Sequence, residues 1–181
     1  MKLKNNKRGF TLIELIVVLS IVAIVIGAVS SFLISNVNTF NLASRQIELQ
    51  DEARKAINSF EKQGIEAGSV SRMFEGGVEV TNAISSTTVT QIDFRRGPVS
   101  SGAEIFAKYR LDRTESKLYF RPDDIQPETL VAEMITDFTL EAIPSTANIL
   151  GVACTGLKIE IKTKDKDTEF VLKSQFYFRN R

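Results

Sequence analysis

The chain of 181 residues has no histidine and a single cysteine, Cys154. Without histidine, catalytic triads that rely on an imidazole base and the usual Cys/His zinc sites are excluded. A lone cysteine cannot close an intrachain disulfide. Cys154 therefore reads either as a small buried residue, the commoner fate of cysteine, or as a reactive or intermolecular thiol. Proline is scarce and none precedes Pro98, so no proline interrupts a helix in the first half. Charge is missing too: between Gly9 and Ser44 the only ionisable side chain is Glu14.

What fills that gap is apolar. Leu15 to Val29 contains eleven Leu, Ile or Val residues, worth roughly −3 to −7 kcal/mol for insertion into a bilayer. One carboxylate costs about 2.5–3.5 kcal/mol at the bilayer centre and less near the edge, where Glu14 would sit. The run from Phe10 to Ile34 would reach about 37 Å as a helix, long enough to span with some tilt. Lys2, Lys4, Lys7 and Arg8 crowd the N-terminal flank with no acid among them. The positive-inside rule puts that flank in the cytoplasm and the rest of the chain beyond the membrane. A secretory signal with a weak cleavage site at Ala28-Val29-Ser30, or a plain single-span anchor, has the same outline. Neither has a use for Glu14, because an acid inside a span opposes insertion and is a functional feature by default.

The segment Lys7-Arg8-Gly9-Phe10-Thr11-Leu12-Ile13-Glu14 resembles the processing site of type IV prepilins and pseudopilins. The resemblance implies a leader, residues 1–9, removed by a prepilin peptidase between Gly9 and Phe10. It implies N-methylation of Phe10 and a filament-assembly role for Glu14. A carboxylate in hydrocarbon needs a cation, and the Phe10 amine of a neighbouring subunit would supply it and set the axial stagger. Loss of the leader lowers the net charge from +1 by four, to −3. Many major pilins have a proline within the apolar run, where this chain has Gly27 followed by Ser30-Ser31.

Helical periodicity continues past the span. Ala53, Ile57, Phe60 and Gly64 form a stripe, with Ala43 and Ile47 nearly in line, and Asp51 and Lys55 form a favourable pair. One helix from Phe10 to about Ile65 is expected, ended by Gly64 and Gly68, with a break near Ser35-Asn36 as the alternative. Residues 69–88 are polar and read as loop with a short strand at Val78–Thr81. Strand alternation then takes over: Thr90, Ile92 and Phe94 against Gln91 and Asp93; Ile105, Ala107, Tyr109 and Leu111; the returning arm Lys117–Phe120; and Ala132, Met134, Thr136, Phe138, Leu140 and Ala142 as one run. Leu157, Ile159 and Ile161 alternate with lysines and Glu160. After the charged turn at Lys164–Asp167, Phe170, Leu172, Ser174, Phe176 and Phe178 alternate in the last strand.

The expected fold is therefore α+β and pilin-like. A helix, membrane-spanning over 10–34 and amphipathic over 35–66, packs its second half on an antiparallel head over 67–181 with one covered side. Its Ile47/Ile57/Phe60 stripe is expected to meet Leu157, Ile159, Phe170 and Phe176.

Tyr109–Asp112, Lys117–Arg121, Leu130–Phe138 and Phe178-Arg179-Asn180 are also similar, more loosely, to PilW-type minor pilins and J-class minor pseudopilins of type II secretion. That similarity implies a minor structural subunit whose partners are other pilins, an inner-membrane assembly platform and an extension ATPase. A tip-located module capturing DNA or exoprotein is the alternative. Nucleic acid is disfavoured, because outside the leader the densest basic cluster is Arg95-Arg96. No nucleophile–base constellation points to an enzyme. Asp123-Asp124 and Asp165/Asp167 read as solvated turn acids, and the lysines around Asp165 disfavour a calcium loop. No cofactor or metal is implied.

Overall fold

The computed structural model describes residues 11–84, 86–96, 105–123 and 125–179. Gly9 and Phe10, the rest of the expected leader, residues 97–104, Asp124 and Asn180 lie outside the described residues.

A single helix, α1, runs from Leu12 to Glu66. The chain divides into two compact units, Met1–Ser44 and Arg45–Arg181. In the first unit every described residue is exposed. Four of its polar side chains turn back on the helix. The hydroxyls of Ser20 and Ser31 donate to the carbonyls of Ile16 and Gly27 at 2.8 and 3.0 Å. The Asn36 amide donates to Phe32 O at 2.8 Å, and Thr39 Oγ1 to Ser35 O at 3.0 Å. Bonds to the carbonyl four residues earlier satisfy these groups inside the helix, and the alternative break at Ser35-Asn36 does not occur.

In the second unit α1 buries Leu49, Ala53, Ala56, Ile57, Phe60, Gln63 and Gly64. The stripe begins at Leu49 and not earlier: Ala43 is exposed, and Ile47, expected at the sheet contact, is 59% exposed. Lys55 pairs with Glu52 in place of the expected Asp51. The other Glu52 oxygen accepts the Glu133 amide at 2.7 Å. Gly64 does not end the helix. A Cβ there would lie 2.1 Å from the Phe176 ring, so the residue is bare because an aromatic ring lies where a side chain would be.

Among the described residues the elements are α1 and ten strands. β1 (Ser69–Glu75), β2 (Val78–Glu79), β4 (Gln91–Arg96), β5 (Ile105–Asp112), β6 (Lys117–Arg121) and β7 (Thr129–Ala132) form one sheet in the order β2-β1-β4-β5-β6-β7. β3 (Thr87–Val89), β8 (Ile135–Ile143), β9 (Gly156–Asp165) and β10 (Thr168–Tyr177) form a second in the order β10-β9-β8-β3. All pairings are antiparallel. The head thus has two sheets where a single one was expected.

Three local features hid this arrangement. β1 was expected as loop. It buries only Val70 and Met73, and its register against β4 shifts between Val70 and Arg72, which erases the period of two. Gly76 and Gly77, at φ +56° and +86°, close its hairpin on the pair Glu75–Val78, as a two-residue turn with both central residues at positive φ does. The apparent run Ala132–Ala142 is two strands. Met134 sits at φ +59° between β7 and β8, and a shift between Ile135 and Asp137 replaces Met134 and Thr136 in the core with Ile135. Asp93, expected on a wet face, is fully buried.

The core forms where α1 meets both sheets. Phe60 stacks on Tyr109 of β5 with ring centroids 4.1 Å apart, and lies 5.4 Å from Phe138 of β8. Leu157, Ile159 and Phe176 are buried as expected, while Phe170 is only half-buried. Cys154 is buried, with its Sγ donating to the Gly156 carbonyl at 3.1 Å, which favours the core reading over the reactive thiol.

Candidate functional site

The candidate site is the start of α1. Thr11 caps it: the Glu14 amide donates to Thr11 Oγ1 at 3.3 Å, and the Leu15 amide to Thr11 O at 3.2 Å. Thr11 is therefore the N-cap and Glu14 the third residue of the first turn. That is the spacing of a capping box, with the acid at the end of the helix that favours negative charge. Sequence reasoning assigned Glu14 and overlooked Thr11. The signal was there, a threonine three residues before a glutamate at the head of an apolar run.

Around Glu14 the surface is hydrocarbon. Leu12, Ile13, Leu15 and Ile16 are each more than half exposed, and α1 is long and apolar enough to cross a membrane. Ser20, Ser31, Asn36 and Thr39 farther along the helix are satisfied internally. Among the described residues the Glu14 carboxylate has no hydrogen-bond or ion-pair partner. In apolar surroundings a carboxylate without a partner is costly and draws in a cation or a proton. The chemistry available here is thus recognition of a positive group. Gly9 and Phe10, assigned to cleavage and methylation, fall outside the described residues.

Among the described residues of the second unit, no group of three or more Cys, Asp or Glu side chains is placed to hold a metal. Asp123 caps its own loop, accepting the amides of Ile125 and Gln126 at 2.9 and 2.7 Å. Asp165 lies 3.8 Å from Arg45 and Asp167 is exposed. Buried Asp93 faces Arg72 across the β1–β4 ladder at 3.1 Å and accepts the Gln91 amide at 2.9 Å. The aromatic residues around Phe60 are core, and none forms an exposed stacking platform.

A family model described as the prokaryotic N-terminal methylation motif matches residues 4–30. No curated protein and no solved structure matches the chain at a significant level. The motif and the long apolar helix leading into antiparallel sheets support a protein of the type IV prepilin and pseudopilin class, with a pilin-like α+β architecture. The motif implies processing by a prepilin peptidase and assembly with other pilins, and together with the long apolar helix it fits a membrane-anchored pilin.

Proposed function

We propose that the chain is a minor subunit of a type IV pilus or of a type II secretion pseudopilus. In this reading residues 1–9 are a cytoplasmic leader cut between Gly9 and Phe10, and Phe10 is then N-methylated. Residues 10–34 span the membrane and later line the filament core, 35–66 continue the helix, and 67–181 form a head outside the cytoplasm. An inner-membrane platform and an extension ATPase draw the subunit into the filament. The observation that carries the reading is one acid, Glu14, held at the capped start of an exposed apolar helix inside the region matched by the methylation motif. Its cation is the Phe10 amine of the adjacent subunit. In low dielectric that pair is strong, and removing either member leaves a charge stranded.

Mass spectrometry of the N-terminal peptide from native membranes tests it. The expected species begins at Phe10 and carries one methyl group on its amine. A chain that keeps Met1, or one that begins at Ser31, overturns the reading in favour of a plain anchor or an exported protein.

A further inference from the structure

β10 is the edge strand of the four-stranded sheet, ten residues long, and it pairs with β9 without a register shift from Thr168–Asp165 to Tyr177–Gly156. The other sheet edges are short, with two residues in β2, three in β3 and four in β7. Natural proteins keep edges short, bulged or proline-marked to prevent pairing with another chain. β10 is long, unbulged and free of proline, and of the usual protections it has only charge, at Glu169 and Lys173.

Which of its backbone groups are free follows from the hairpin. The turn Lys166-Asp167 closes on Asp165–Thr168, and a two-residue turn closes on a pair that exchanges both hydrogen bonds. Even-numbered residues of β10 therefore bond to β9. The contacts beside the ladder agree: Thr163 Oγ1 donates to Phe170 O at 3.3 Å, and the Phe178 amide donates to Thr155 O at 3.0 Å. The N–H and C=O groups of Glu169, Val171, Lys173 and Gln175 point to the outer edge, and all four side chains are exposed. Among the described residues no strand pairs with that edge.

The side chains on this edge are complementary to themselves in one register. Two β10 strands laid antiparallel with Val171 opposite Val171 place each Glu169 opposite the other copy's Lys173. Shifting the centre to Lys173 or to Glu169 puts like charges face to face, which is destabilising. Centring on Leu172 sets Lys173 against Val171 and forms no ion pair. We infer that β10 is a docking edge for a second copy of this chain, paired antiparallel about Val171 with two reciprocal Glu169–Lys173 ion pairs. Such a contact is isologous, so each edge is used up by its partner and the assembly stops at two. It is distinct from head-to-tail polymerisation through the N-terminal helix and does not rest on it.

The test uses the full chain in membranes, with Cys154→Ala to remove the native thiol and Val171→Cys to introduce a reporter. Cα atoms of hydrogen-bonded antiparallel partners lie about 5.5 Å apart, within disulfide reach. Oxidation is expected to give a covalent dimer. Glu169→Lys or Lys173→Glu alone should reduce its yield at least about tenfold, since like charges then oppose each other, and the double exchange should restore it. A thermal melt of each variant separates loss of pairing from loss of fold, which matters because Lys173 also bridges Glu160 of its own chain at 2.7 Å. Three results overturn the inference: no covalent dimer from the Val171→Cys chain, a yield indifferent to the single reversals, or no rescue by the double exchange. Cross-linking only to a different pilin would exclude a second copy as the occupant.

Discussion

The hydroxyls of Tyr109 and Ser59 are 2.7 Å apart, and the Tyr109 hydroxyl also donates to the Ser59 carbonyl at 2.8 Å. One side chain of β5 thus holds both a side chain and a backbone group of α1, while its ring lies against Phe60. Apolar packing alone lets a helix roll or slide by small steps. A directional bond to a single residue fixes both its rotation and its axial position on the sheet.

Tyr109→Phe keeps the ring contact and removes both bonds. Each is worth about 0.5–1.5 kcal/mol net, so the variant should lose roughly 1–3 kcal/mol of head stability, read as a lower melting temperature in detergent with an unchanged near-native fold.

Gly64→Ala would ordinarily stabilise a helix interior by up to about 1 kcal/mol. Here the new methyl group meets Phe176, itself packed against Phe94 and Phe178. Overpacking costs about 1–3 kcal/mol, so a net loss is expected. Phe176→Leu in the same chain should recover part of it. Additive losses in the melting curves of the two single variants and the double variant would refute the contact.

Glu128 ties the loop before β7 to β5. Arg110 donates to its two oxygens at 3.2 and 2.6 Å, and chiefly through that hydrogen bonding holds the Glu128 carboxyl below its ordinary value. A folded-state pKa that is depressed gives stability that is complete above the unfolded value and is lost as pH falls through the folded one. Both groups are about a third exposed, so the contribution is about 0.5–1 kcal/mol. Glu128→Gln should therefore be less stable than the parent at pH 7, with the gap closing below about pH 4. Melts at both pH values check it.

Glu14→Ala should insert and be cleaved as the parent is, because the substitution makes the span more apolar. Filament incorporation should fall by at least about tenfold, since the partner amine would be left unpaired in low dielectric. Immunoblots of sheared filaments against membranes measure this, and normal incorporation would sink the pairing.

Much of this protein was legible from the amino-acid order alone. The α1 helix is legible from an unbroken apolar run followed by a period of 3.6, and the buried face of β5 and the β9–β10 hairpin from periods of 2, because each depends only on neighbours in sequence. Glu14, the candidate for filament assembly, stands out for a different reason: a single acid in a long apolar run needs no fold to be noticed. What the order did not reveal was β1, the division of Ala132–Ala142 between two sheets, the burial of Asp93 opposite Arg72, and the reason for Gly64. In each case a bulge, a positive-φ residue or a partner distant in sequence broke the period or reversed its sign. Local patterns record which side of an element is apolar. Only the tertiary structure decides what that side meets, and so whether a charge is wet or paired and whether a glycine marks an end or makes room for a ring.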